Sequence, residues 1–254
     1  MSHALAFDDV TVLDTVDSTN DAVKRRLSGG NERPFVIAAR EQTKGRGRSG
    51  RSWSSKPGNL AATFYVPFEG NHQEAARLSF AVSLAVHDAL KRIATGIGIG
   101  IKWPNDVLLN HRKVCGILLE NLGRTSDGRL QLLIGIGINL IQHPDPADSN
   151  WYPTSVRAET QTDVSFDRAL SELTQAVQKR LNAETKHGFA RTRAEWLERA
   201  VRLGEEITVR LPNQQWHGIF REIDALGALV LETASGVRTV TAGDVFFPEG
   251  AACS

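Results

Sequence analysis

Gly45-Arg46-Gly47-Arg48-Ser49-Gly50-Arg51-Ser52-Trp53 fits the pattern Gly-x-Gly-x-x-Gly through Gly45, Gly47 and Gly50. As a dinucleotide fingerprint it would lie between a strand and a helix of a doubly wound sheet. The residues that follow, Arg51 to Asn59, carry Pro57-Gly58 and no helical apolar period, so the helix is missing. A kinase loop would require His-Arg-Asp and Asp-Phe-Gly further on; neither occurs, and no Walker pattern is present. With those readings removed, the stretch is a glycine-rich loop studded with guanidiniums. Lys44 and Lys56 raise its cations to five, and no Asp or Glu lies between Glu41 and Glu69. Glycines let the backbone curl around a ligand, and arginines supply bidentate donors to phosphate or carboxylate oxygens. Trp53 offers a flat apolar face suited to a nucleotide base. A solvated basic loop touching RNA or an acidic surface is the competing reading.

Composition narrows the choice. The 254 residues hold 30 basic and 29 acidic side chains, so the positive character is local to a site and favours a small anionic ligand over a polyanion. At 41% hydrophobic, the chain can bury one good core and a smaller second one. Two cysteines, Cys115 and Cys253, make no disulfide framework. No apolar run reaches the about 18 residues of a membrane span, and Met1 to Asp9 lacks a basic signal-peptide start, so the chain is read as cytoplasmic. The seven histidines show no paired ligand spacing, and no Gly-x-Ser-x-Gly elbow occurs.

Periodicity orders the elements. Val10–Val16 reads as a strand, and Ser18 with Asp21 as a capping box opening a helix through Leu27. Strands are expected over Phe35–Ala39 and Leu60–Val66 on either side of the basic loop. A helix over 74–93 follows from its apolar spacing. Ile97–Trp103, Val107–Leu109, Val114–Glu120 and Leu130–Leu140 form a run of strands, and 166–181 and 189–201 read as helices. Beyond Leu203 the texture shifts to short alternating segments separated by glycines 218, 227, 236 and 243, which predicts a small antiparallel barrel. The class is therefore α+β, a mixed β-sheet flanked by helices, with a catalytic domain over 1–201 and a β module over 202–254.

Three further segments carry chemistry. Lys102-Trp103-Pro104-Asn105-Asp106 gathers a cation, an amide and a carboxylate at a proline-broken strand end, either displayed to a ligand or forming an ordinary turn. Lys113 precedes the apolar strand Val114-Cys115-Gly116-Ile117-Leu118 and is either an exposed turn cation or a charge aimed into a pocket. Cys115 reads as a small core residue. In Ile134-Gly135-Ile136-Gly137-Ile138-Asn139 the glycines leave one strand face bare, so a neighbouring helix or a ligand must pack flat on it.

Taken in order, Asp17-Ser18-Thr19-Asn20, Gln42, the basic loop, Lys102 to Asp106, Arg112 to Leu118 and Gly135 to Asn139 resemble the biotin protein ligases. Asp224 to Leu229 and Ala242 to Val245 resemble that family's SH3-like C-terminal domain. The resemblance implies a class II synthetase-like biotin/lipoate ligase catalytic domain with a small SH3-like β-barrel. It implies attack of the biotin carboxylate on the α-phosphate of MgATP, with biotin and ATP as substrates and Mg²⁺ as the accompanying ion. The resulting biotinyl-5′-AMP would be transferred to a lysine of the biotin carboxyl carrier protein of acetyl-CoA carboxylase, and of other biotin-dependent carboxylases. Carried over by position, Ser18, Thr19, Asn20, Gln42, Gly45, Arg46 and Gly116 would bind biotin. Arg46, Arg48, Arg51, Trp53, Lys102, Asn105, Lys113 and Asn139 would bind ATP or the adenylate. Lys113, Arg48 and Asp106 would act in catalysis, and no metal ligands are assigned. The first catalytic strand begins near Val10, so the resemblance is to the short form, with no specific DNA binding expected; no membrane contact is expected, and a homodimer is left open. A lipoate ligase or octanoyltransferase of the same fold, and a non-enzymatic nucleotide- or RNA-binding protein, are the alternatives.

Overall fold

The computed structural model describes residues 4–145, 152–211 and 213–247. Its larger sheet has seven strands: β1 (Val10–Val16), β2 (Phe35–Gln42), β3 (Leu60–Phe68), β4 (Ile99–Lys102), β5 (Asp106–Leu109), β6 (Arg112–Arg124) and β7 (Leu130–Ile138). They lie in the order β1-β2-β3-β7-β6-β5-β4, with β1 parallel to β2 and every other pair antiparallel. Side chains alternate across each strand, and the two faces are used differently. Val36, Ala38, Phe64, Ile134 and Ile136 pack under α2 (His72–Ile93) and α4 (Phe166–His187) in the main core. Phe35, Ile37, Tyr65 and Leu133 on the other face pack against Ala22 and Val23 of α1 (Thr19–Leu27). Helix α1 covers only part of that face. The rest, where β3, β7 and β6 carry small residues, is the floor of the site.

A second, five-stranded antiparallel sheet contains β8 (Glu206–Leu211), β9 (Gln214–Ile223), β10 (Leu229–Thr233), β11 (Gly236–Val240) and β12 (Asp244–Phe246), in the order β11-β10-β9-β8-β12. Its apolar face shares a core with the larger sheet's layer. Phe80 and Leu84 of α2, Trp103, and Phe189 and Trp196 of α5 (Phe189–Leu197) pack with Ile207, Phe220, Leu229 and Val245. The indole of Trp103 donates to the Gly227 carbonyl at 3.1 Å. Residues 199–201 complete the free edge of β4, with Ile101 N–H on Arg199 O at 2.8 Å and Val201 N–H on Ile101 O at 2.9 Å. That pairing explains why the helix expected to reach Val201 stops at Leu197.

Other boundaries also moved for local reasons. Helix α2 starts at His72 because Asn71 and Glu74 cap each other's backbone N–H groups. The capping box expected from Ser18 and Asp21 does not form. Ser18 is the N-cap residue but makes no side-chain cap bond, and Asp21 is committed to Arg46. A short helix, α3 (Val156–Thr160), stands where the sequence pattern predicts no element. Among the described residues, no helix is long and apolar enough to cross a membrane.

Candidate active site

Sheet register builds the floor. Across β3, β7, β6 and β5, Ala61 opposes Gly137, Gly137 opposes Gly116, and Gly116 opposes Asp106; one step along, Thr63 opposes Gly135 and Gly135 opposes Leu118. The bare face read from the alternating glycines is therefore real, and two side chains lie on it. A Cβ at Gly137 would come within 2.2 Å of Trp53 Nε1, and one at Gly116 within 3.0 Å of Trp53 Cζ3, so the indole lies flat on that pair. A Cβ at Gly135 would meet Asn20 Oδ1 at 2.7 Å. Around this floor opens a cavity of about 730 Å³, lined by residues of α1, the basic loop, β5, β6, β7 and the second sheet.

The basic loop is a flap. Gln42 pairs with Ser55 and Arg46 with Ser52, and Trp53 N–H donates to Gly45 O at 2.9 Å. Gly45 permits that closure, since its Cβ would fall 2.5 Å from the Trp53 carbonyl oxygen. Each arginine of the flap is held by a different element. Arg46 makes two 2.6 Å bonds to Asp21 of α1. Arg48 donates to Asn105 Oδ1 at 3.0 Å, and Asn105 is itself fixed by donating to Ile117 O at 2.5 Å. Arg51 pairs with Asp244 of β12.

Opposite the flap stands a buried charge cluster. Lys113 Nζ lies 2.7 Å and Lys102 Nζ 3.7 Å from the Asp106 carboxylate. Burial alone would raise the Asp106 carboxyl, but Lys113 and Lys102 outweigh it and hold it below the usual carboxylate range. Lys102, only 3% exposed, is pulled down to about 7 by burial, against the attraction of Asp106. Lys113 Nζ also lies 5.8 Å from the centre of the Trp53 ring. Burial pushes the Cys115 thiol up, consistent with a core role.

The polar end of the cavity is uncharged. Gln42 Oε1 accepts from Thr19 N–H at 2.8 Å and lies 3.0 Å from the Thr19 hydroxyl. At the other end of the floor, beyond Gly137, Asn139 donates to Thr154 O at 3.0 Å, while its buried Oδ1 has no partner among the described residues.

Ser18, Thr19, Asn20, Gln42, Arg46, Arg48, Arg51, Trp53, Asp106, Lys113, Gly116 and Asn139 all line this one cavity. Gly45, Lys102 and Asn105 do not; they stand behind its wall, where Asn105 braces Arg48 and Lys102 lies beneath Asp106. Sequence reasoning missed Asp244, which enters the wall from the second sheet, and Asp145 and Pro153. No local pattern marks these three, because long-range packing brings them in.

Comparison with known proteins accords with this geometry. The model of the Biotin/lipoate A/B protein ligase family matches residues 12–139, and that of the Biotin protein ligase C terminal domain matches 203–247. A biotin–[acetyl-CoA-carboxylase] ligase of Paracoccus denitrificans is 42% identical over 93% of this chain and 99% of its own length. The bifunctional ligase/repressor BirA of Bacillus subtilis is 29% identical over 91% of this chain and 72% of its own. The biotin protein ligase from Aquifex aeolicus, solved in complex with biotin and ATP, superposes with a TM-score of 0.79 at 28% identity, covering 94% of this chain and 98% of that one. From the glycine floor to the C-terminal sheet, the chain belongs to the biotin protein ligases of the biotin/lipoate A/B protein ligase family.

Proposed function

We propose that this chain activates biotin with MgATP and transfers it to a lysine of the biotin carboxyl carrier protein of acetyl-CoA carboxylase. A carboxylate oxygen of biotin attacks the α-phosphorus and the bond to pyrophosphate breaks, leaving biotinyl-5′-AMP. The carrier's amine then attacks the mixed anhydride carbonyl, AMP departs, and the amine loses its proton. The observation that carries this reading is a single cavity with an uncharged hydrogen-bonding end and a cationic end, joined by a floor of glycines. Two anions must meet there, and fixed cations in a site shielded from water are the physical answer to their repulsion.

Roles follow position. Ser18, Thr19, Asn20 and Gln42 take the head group, and Gly116 carries the Trp53 indole on its bare face. Lys113 and Arg48 bridge the carboxylate and the α-phosphate. Arg46 joins them by giving up Asp21, and Arg51 faces the phosphates from the flap. Trp53 supplies the adenine's apolar surface, and the unpartnered Asn139 Oδ1 suits an exocyclic amine. The Asp106 carboxylate stands where an incoming ammonium would be welcomed. Mg²⁺ belongs to the nucleotide substrate, whose triphosphate carries it. Near-neutral net charge supports the absence of specific DNA binding, and the shift in texture after residue 201 supports a domain boundary there.

Biotin-dependent exchange of pyrophosphate into ATP, compared with lipoate in place of biotin, tests the reading. Exchange with biotin and none with lipoate is expected. The opposite preference, or no exchange, would overturn it.

A further inference from the structure

Two side chains outside the cavity complete its polar end. Thr63 of β3 is fully buried, and its hydroxyl lies 2.6 Å from Asn20 Oδ1 and 2.8 Å from Thr19 Oγ1. Glu120 of β6, 29% exposed, accepts from Asn20 Nδ2 and lies 3.5 Å from Lys24 Nζ. With Gln42 they form one chain: Glu120, Asn20, Thr63, Thr19, Gln42.

Donor and acceptor chemistry gives that chain a direction. A carboxylate can only accept, so Asn20 must turn its NH₂ to Glu120 and its carbonyl oxygen to Thr63. An amide oxygen can only accept, so Thr63 spends its one proton there and turns a lone pair to Thr19. The Thr19 hydroxyl has acceptors on the protein side in Thr63 and in Gln42 Oε1, 2.8 and 3.0 Å away. Its proton points inward and its free lone pair faces the cavity. The Thr19 backbone N–H, an obligate donor, meanwhile fixes Gln42 with Oε1 toward Thr19, which turns Nε2 away from it.

We propose that Glu120 and Thr63 are positioning residues that set the polar end of the cavity to one acceptor, Thr19 Oγ1, beside one donor, Gln42 Nε2. This inference rests on the functional reading above. The pattern is complementary to a cyclic urea, which offers N–H donors flanking a carbonyl. A dithiolane or an alkyl chain can satisfy neither group, so both would be left buried and unpaired on binding lipoate or octanoate. Discrimination between these acyl substrates thus begins at a carboxylate that touches no substrate.

The test compares Glu120→Gln, Thr63→Val and Thr63→Ser by pyrophosphate exchange and by calorimetric titration of biotin alone. A glutamine can donate as well as accept, so Glu120→Gln releases the direction of the chain without changing its shape. Thr63→Val cuts the chain isosterically, and Thr63→Ser restores it. The biotin KM and Kd should rise about tenfold in Glu120→Gln and Thr63→Val, and return to within about twofold in Thr63→Ser. The KM for ATP and kcat at saturating biotin should stay within about twofold. A merely structural role would lower kcat and melting temperature together without singling out biotin. Biotin affinity unchanged in both disrupting variants, or no rescue by serine, would overturn the proposal. If the wild-type protein itself shows no biotin-dependent exchange, the functional reading fails instead.

Discussion

The two ends of the glycine floor are built on opposite principles. At the Gly135 end, short neutral side chains are locked by one another: Asn20, Thr19, Thr63 and Gln42 are within hydrogen-bond reach before any ligand arrives. At the Gly137 end, long charged side chains reach out of the flap, Arg48 to Asn105 and Arg51 to Asp244, while Arg46 ties the flap to Asp21 of α1. Every one of those contacts can be exchanged for one to a phosphate or carboxylate oxygen. One end is set to recognise. The other is held by replaceable ties and is set to react.

Breaking the reactive end should have the largest effect. Lys113→Ala removes a fixed cation from a charge that grows in the transition state, and should slow pyrophosphate exchange by about 10²–10³. Biotin binding in the absence of ATP, where Lys113 meets only the carboxylate, should weaken far less, by about tenfold or under. Equal losses in both would erase the distinction between the ends.

Next comes a pH effect on stability. Lys102 titrates near 7 when folded but near its usual 10.5 when unfolded. Between those values the unfolded chain holds the extra proton, so stability rises with pH across that window. Below about 7 both states are charged and the penalty, on the order of several kcal/mol, is complete. Denaturant melts from pH 7 to 10 should show this slope in the wild type and not in Lys102→Met. A shared slope would mean that Lys102 is not the source.

Smaller effects sharpen the contrast. Gly137→Ala should displace the Trp53 indole, cost about 1–3 kcal/mol, and raise the KM for ATP more than that for biotin. Gly135→Ala presses on Asn20 instead, and should reverse that preference. If both alanines shift the same constant, the floor is one site and not two. Smallest of all is the Arg51–Asp244 pair, whose side chains are 52% and 29% exposed. A double-mutant cycle on stability should give under about 1 kcal/mol.

Much of this was legible in sequence, and the reasons are specific. The alternation at 134–139 reports a bare strand face directly, because side chains alternate with period two. What covers that face could not be read. Trp53 is some eighty residues away in the chain, and only the flap's own closure lays its ring on Gly116 and Gly137. The anion-binding character of the loop was equally plain, yet its resting partners were not. Asp21 reads locally as half of a capping box, and the tertiary pair with Arg46 overrode that local preference. Lys102 and Asn105 read as ligand contacts because turns display their side chains, but both are buried, Lys102 beside Asp106 and Asn105 between Ile117 O and Arg48. Thr63 and Glu120 carried no signal at all, since a lone threonine or glutamate in a strand is unremarkable until its neighbours are known.

The shared core has a consequence for how the protein is made. Synthesis proceeds from the N-terminus, so a growing chain that has emerged only as far as residue 201 contains the whole seven-stranded sheet. It then lacks the layer that shelters Phe80, Leu84, Trp103 and Trp196. That greasy surface must wait for the last strands, and the tie from the flap to Asp244 forms later still. A ribosome stalled in this stretch would therefore present chaperones and proteases with a nearly finished but sticky intermediate.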